Sequence, residues 1–174
     1  MLKVENLRKT YKTGNNSYLV LKDLSFQVKK GEFVAVMGPS GSGKTTLLNC
    51  ISCFIPHDQG KILLNGKDLS GLGQKELAKV RNQHLGFVFQ DFMLLDSRSC
   101  KAVIDAFLQA KEQLEATVFM VTHDSYAASF CDRVIVLRDG AVHTELTRRG
   151  SRREFMDELL DVLRELGGDR DDQE

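Results

Sequence analysis

Eight residues, Gly38-Pro39-Ser40-Gly41-Ser42-Gly43-Lys44-Thr45, follow directly on a five-residue apolar run, FVAVM at 33–37. That order constrains the chain more than any other feature. A continuously apolar, β-rich run is what a strand buried on both faces of a parallel sheet requires. Glycines after such a strand let the backbone wrap a phosphate closely, with successive N–H groups turned inward. A helix expected over 44–54 brings its positive dipole end to the same point. The spacing G-x-x-x-x-G-K-[ST] is met in full, strand before and helix after, as a Walker A phosphate loop demands. Lys44 is expected to reach the β- and γ-phosphates and the Thr45 hydroxyl to ligate Mg²⁺. The chain binds a nucleoside triphosphate, or descends from one that did.

The surrounding pattern alternates strands with helices. Leu2, Val4 and Leu7 in a charged background predict a first strand ending near Tyr11, and the cluster at 13–17 predicts a turn. Leu24, Phe26 and Val28 alternate with polar residues, the period of a strand covered on one face. Residues 61–64 run into Asn65-Gly66, a hairpin signal. A polar helix is expected over 74–82, a strand over 85–90 and an amphipathic helix over 99–115. Further buried-type strands are expected at 118–121 and 133–137, the second followed by an Asp139-Gly140 hairpin turn. Ser151 and Glu154 form a capping box before a last helix, which Gly167-Gly168 should end. Residues 169–174 read as an acidic tail. The whole is an α/β sandwich.

Composition excludes several classes. The 24 Lys and Arg balance 24 Asp and Glu, whereas a nucleic-acid-binding domain is usually clearly basic. The run at 33–37 is far too short to cross a bilayer, and residues 1–11 lack the apolar stretch of a signal peptide. Four cysteines without that signal read as cytosolic thiols. Cys50 and Cys53 have no second pair at ligand spacing and fall on an apolar helix face, so they read as core. Arg148, Arg149, Arg152 and Arg153 read as a solvated basic face, with anionic lipid headgroups the alternative partner.

Several segments together carry a family resemblance. FVAVMGPSGSGKTTLLNCIS, GFVFQ ending at Gln90, LDSRS containing Asp96, VTHD containing His123, and DRVIVLRDG occur in the order found in ATP-binding cassette (ABC) transporter ATPases. KELAKVRNQHLGFVFQDFMLL and the GAVHTEL…LLDVLRELGG ending resemble the branch serving lipoprotein and antimicrobial-peptide exporters, of the MacB and bacitracin-exporter type. The resemblance implies a P-loop NTPase core, a parallel sheet with helices on both faces plus an antiparallel β-subdomain. It divides the chain into an ATP-binding domain over 1–150, a C-terminal helix over 151–168 and the tail. ATP and Mg²⁺ are the implied ligands. Tyr11 would stack on adenine, and Gly38, Ser40, Gly41, Ser42, Gly43, Lys44, Thr45 and Thr46 would hold the phosphates. Thr45 would ligate Mg²⁺, Gln90 would contact Mg²⁺ or the attacking water and sense the transporter, and Asp96 would be the D-loop carboxylate. His123 would bond the γ-phosphate, the structural alternative being a cap on the next helix. The implied partners are a transmembrane permease subunit and a second ATP-binding subunit. The chain would sit in the cytoplasm at the inner face of the membrane, touching it only through the permease.

The resemblance also exposes a gap. In the resembling proteins several dozen residues separate the segments holding Gln90 and Asp96, and they carry a helical subdomain, the LSGGQ signature, the Walker B strand and the catalytic Glu. None of these stands between the two here. Leu69-Ser70-Gly71-Leu72-Gly73-Gln74 imitates the signature but precedes the Q-loop, Asp139 belongs to a hairpin turn, and Asp157-Glu158 lies on the last helix. The sequence therefore predicts ATP binding with impaired hydrolysis, because a positioned general base is worth about 10²–10⁴ in rate. A non-catalytic nucleotide-binding partner, or a truncated product without function, is the alternative. Loss of an interior strand also predicts a gap that is closed by re-pairing or leaves two unpaired edges, and a helix over 99–115 short of partners.

Overall fold

The computed structural model describes residues 1–84 and 97–168. Among the described residues, two four-stranded sheets carry the chain. The first is antiparallel, in the order β2 (Asn16–Val28), β1 (Leu2–Thr13), β4 (Gln59–Leu64), β5 (Lys67–Asp68). The second has the order β6 (Val118–Val121), β3 (Phe33–Met37), β7 (Arg133–Arg138), β8 (Ala141–Thr147). Its first three strands are parallel and β8 returns antiparallel on β7. Helices α1 (Lys44–Ile51), α2 (Gln74–His84), α3 (Ser97–Leu114), α4 (Ser125–Ala128) and α5 (Arg152–Gly168) complete the fold.

All five residues of β3 are buried, and alternation divides them between two cores. Val34 and Val36 join Leu47 and Ile51 of α1 and the apolar face of the antiparallel sheet. Phe33, Ala35 and Met37 join Ile104 of α3, Ala127 and Ala128 of α4, and Phe155 and Leu159 of α5. An uninterrupted apolar run is thus required, because neither face of the strand meets water. Phe119 of β6 stacks on Phe26 of β2 with ring centres 5.9 Å apart, bridging the two sheets.

The hairpins expected at Asn65-Gly66 and Asp139-Gly140 form. Asn65 and Gly66 take φ of 50° and 81°, and Asp139 and Gly140 take 50° and 85°, the paired left-handed values that match strand twist. The capping box also forms: Glu154 N–H donates to Ser151 Oγ at 3.2 Å and Ser151 N–H to Glu154 Oε2 at 2.8 Å.

Several boundaries differ from expectation. The first hairpin is tighter, with β1 running to Thr13 and β2 starting at Asn16. Helix α1 stops at Ile51, not at 54, because Ser52 Oγ bonds the Leu48 carbonyl and Cys53 turns left-handed at φ 58°. The Gly167-Gly168 pair occupies the last two positions of α5, where the helix was expected to end. The short α4 was not foreseen. The expected strand over 85–90 and the acidic tail lie outside the described residues.

Among the described residues β6 and β7 pair with the two sides of β3, and β6 stands at the end of the sheet order with β3 as its one strand partner. Helix α3 is not stranded: Ile104 is fully covered and Phe107 meets Phe33 edge-on at 6.3 Å. Of the basic face, Arg149, Arg152 and Arg153 are exposed, as expected, and Arg148 is half-buried. The Arg148 guanidinium lies 3.8 Å from the Asp132 carboxylate, and that of Arg152 lies over the rings of Tyr126 and Phe130.

Candidate functional site

The phosphate loop leaves the carboxyl end of β3, between the carboxyl ends of β6 and β7. Open α/β sheets bind ligands in such a crevice. Gly38, Gly41 and Gly43 take φ of 145°, 79° and 98°, values that L side chains rarely adopt. At Gly38 a Cβ would stand 2.2 Å from the Leu137 carbonyl oxygen, so β7 itself requires glycine there.

Beyond the loop, α1 begins with no side chain capping its first turn and no acidic residue in it. Its leading N–H groups therefore keep their attraction for an anion. The Lys44 ammonium is held inside the loop, donating to the carbonyls of Gly38 and Pro39, each at 2.8 Å. Burial lowers its pKa below the ordinary lysine value. A cavity of about 420 Å³ is lined by Val20, Ser40, Gly41, Gly43, Lys44, Thr45 and Thr46. The lining offers N–H groups, hydroxyls and one ammonium, and no carboxylate. That donor set fits a polyphosphate. It also fits Mg²⁺ carried in with the phosphates, since such sites commonly use one or two protein ligands, and Thr45 supplies a hydroxyl. Among the described residues no group of three or more His, Cys, Asp or Glu could hold a metal by itself.

The remaining sequence-derived residues distribute as follows. Ser42 is buried in the loop, its N–H bonded to the Pro39 carbonyl at 3.2 Å. Tyr11 is 40% exposed on β1, outside the lining of the phosphate cavity, with the Lys9 ammonium 5.6 Å from its ring centre. His123 is exposed two residues beyond β6, and the Thr122 N–H extends the ladder onto the Val36 carbonyl at 3.1 Å. This holds the turn carrying His123 at the crevice end of the sheet. Asp124, not His123, caps α4, accepting the Tyr126 N–H at 2.9 Å. Gln90 and Asp96 lie outside the described residues.

The signature imitation resolves as ordinary structure. Leu69 is buried in the core, and Asp68 accepts the Ser70 N–H in a turn between β5 and α2. Cys50 and Cys53 are buried, and burial pushes the Cys50 thiol up to about 12.

Two supports of the loop were missed by sequence reasoning. The Gly140 N–H donates to the Ser42 carbonyl at 3.2 Å and its carbonyl accepts the Lys22 N–H at 2.8 Å, tying the β7–β8 turn to the loop and to β2. Val20 supplies the apolar wall of the cavity. The Asp-Gly pair signalled a turn, but no local pattern signalled what it touches.

Comparison with known proteins agrees with this site. The family model described as ABC transporter matches residues 21–162. The ABC transporter ATP-binding protein YxdL of Bacillus subtilis is 34% identical over 249 aligned positions, covering 99% of this chain and 96% of that one. The bacitracin export ATP-binding protein BceA of Halalkalibacterium halodurans is 30% identical, covering 99% of each. A solved structure of the ATP-binding cassette MJ0796 of Methanocaldococcus jannaschii, a dimer bound to ADP and Pi in a post-hydrolysis state, superposes with a TM-score of 0.81. That match has 26% identity and covers 87% of this chain and 100% of the other. A Walker A loop in the crevice of a P-loop sheet, a family model over most of the chain and relatives aligned along nearly all of it agree: the chain belongs to the ATP-binding proteins of ABC transporters.

Proposed function

We propose that the chain binds ATP·Mg²⁺ as the nucleotide-binding subunit of an exporter of the lipoprotein or antimicrobial-peptide type, and that it hydrolyses ATP very slowly. The observation carrying the binding half is the cavity lined by Ser40, Gly41, Gly43, Lys44, Thr45 and Thr46. Lys44 neutralises the β- and γ-phosphates, loop N–H groups bond their oxygens, and Thr45 holds the metal with Gln90. The bound Mg²⁺ supplies charge neutralisation between phosphates. Tyr11 stacks on adenine, and His123 bonds the γ-phosphate from the turn after β6. BceA is named for bacitracin export, which supports an antimicrobial-peptide cargo.

The slow half rests on length. The alignment with YxdL runs to 249 positions, against 174 residues here. Of the described parallel strands, β3 leads into Gly38, β6 into Thr122 and β7 into Asp139-Gly140. None ends in the Asp-Glu pair that would hold Mg²⁺ and activate water. Two such chains could not complete each other's sites, because neither has a signature loop to offer. Asp96 alone supplies no general base.

The test is a steady-state ATPase assay beside an ATP thermal shift. A clear shift with turnover at background supports the reading. Robust turnover abolished by Lys44→Ala overturns the slow-hydrolysis half. A second reading, a non-catalytic partner of an intact ATP-binding subunit at the membrane's inner face, is favoured by a phosphate-loop strand with both neighbours in place. Capture of a full-length homologue or its permease separates the two.

A further inference from the structure

The β1–β2 hairpin carries two exposed tyrosines directly opposite each other. Tyr11 and Tyr18 are register partners, 40% and 54% exposed. Residues opposite each other in an antiparallel pair share a face, with Cβ atoms about 5 Å apart. Two positions further along β2, at the register shift between Leu19 and Leu21, stands Val20, a wall of the phosphate cavity. Val20 is tied closely to the loop, since its carbonyl oxygen lies 3.2 Å from where a Cβ on Gly43 would stand. Two residues of strand span about 7 Å, so the tyrosine pair follows the phosphate cavity along the same strand. A nucleotide anchored by its phosphates extends its base over such a distance.

The two rings are held differently. The Lys9 ammonium, paired with Asp58 at 3.1 Å, sits 5.6 Å from the Tyr11 ring centre. The Tyr18 hydroxyl accepts the Asn16 Nδ2 hydrogen at 3.4 Å. Exposed large aromatics are costly to present to water, and paired beside an anion cavity they are what a base stacks on.

We propose that Tyr18 is a second base-binding residue, forming with Tyr11 a two-ring platform for the purine of a nucleotide whose phosphates occupy the loop at Gly38–Thr45. The proposal rests on the nucleotide reading of that loop and adds the residue that selects the base. Stacking is indifferent to hydrogen-bond pattern but grows with ring area. The platform therefore favours ATP and GTP over CTP, with little discrimination between the two purines.

The experiment measures affinities of ATP, CTP and inorganic tripolyphosphate, each with Mg²⁺, for the wild-type chain, Tyr18→Ala and Tyr18→Phe. Tripolyphosphate reads the loop without a base. Tyr18→Ala is expected to lose at least about fivefold for ATP, the lower end of base–aromatic stacking. Its tripolyphosphate affinity stays unchanged, its preference for ATP over CTP shrinks, and Tyr18→Phe keeps the wild-type values. Unchanged ATP affinity in Tyr18→Ala overturns the proposal. An equal loss for tripolyphosphate also overturns it, because the substitution would then act on the hairpin and not on the base. If the wild-type chain binds neither ATP nor tripolyphosphate, the nucleotide reading of the loop fails and the platform falls with it.

Discussion

Phe33 and Asp132 are joined at two points: the Asp132 carboxylate accepts the Phe33 N–H at 2.8 Å, and the Asp132 N–H donates to the Phe33 carbonyl at 2.8 Å. The same carboxylate takes the Lys111 ammonium of α3 at 2.6 Å. One acidic side chain thus fixes the start of the phosphate-loop strand, the entry to β7 and the helix packed below them. Asp132→Ala leaves the Phe33 N–H without its acceptor and Lys111 without its counter-charge. The expected loss is roughly 2–3 kcal/mol of folding stability, read from urea denaturation. A loss under about 0.5 kcal/mol would show that the clamp is dispensable.

Gly140 bears on the loop from the other side. Its φ is 85°, and a Cβ there would lie 2.1 Å from the Val20 carbonyl oxygen. Gly140→Ala must move either the hairpin tip or β2, and both touch the phosphate cavity. We expect a loss of roughly 2–3 kcal/mol in stability, together with weaker ATP binding in titration calorimetry. Wild-type ATP affinity in the variant would mean that the turn does not shape the cavity.

Lys44 gives a prediction in ligand and in pH. ATP at a hundred times its Kd should stabilise the wild-type chain by about 2.7 kcal/mol. Lys44→Met should abolish that gain while leaving the ligand-free melting temperature within a few degrees. Burial lowers the Lys44 pKa in the folded chain. Between that lowered value and the ordinary one of about 10.4, the unfolded chain binds more protons, so stability contributed by this group rises with pH. Below the lowered value its burial is a constant cost. Denaturation of wild type and Lys44→Met across the alkaline range should show this rise only in wild type.

The capping box gives the acid counterpart. Hydrogen bonds from Ser151 lower the Glu154 pKa. The stabilisation is present above the ordinary carboxylate value and is lost as pH falls through the depressed one. Ser151→Ala should cost about 1 kcal/mol at neutral pH, the usual value of an N-cap. It should also flatten the acid limb of the stability profile measured by circular dichroism.

Legibility in the sequence followed the range of the forces involved. Strands β3 and β6 were readable at their observed bounds because burial on both faces leaves an unbroken apolar run. The hairpins at Asn65-Gly66 and Asp139-Gly140 were readable because a left-handed pair needs those residue types. The end of α1 was not, because Cys53 fills a position where glycine would have signalled a stop. Four-residue α4 is too short for helical periodicity. The tie of Gly140 to Ser42 joins segments far apart in sequence, and so leaves no local trace. Arg152 was grouped with its charged neighbours, while its contact with the Tyr126 and Phe130 rings depends on α4, which had not been foreseen. Of the site, the loop was fully legible, Val20 was not, and Gln90 and Asp96 fall outside the described residues.

The position of β3 between β6 and β7 has a consequence on the timescale of opening. A strand bonded along both edges exchanges its amide hydrogens only when two ladders part together. Val34, Ala35 and Val36 should therefore be among the slowest amides of the chain to exchange with deuterium, released only by global unfolding. The phosphate loop grows from the end of that segment. Its anchor is then among the last parts of the protein to let go.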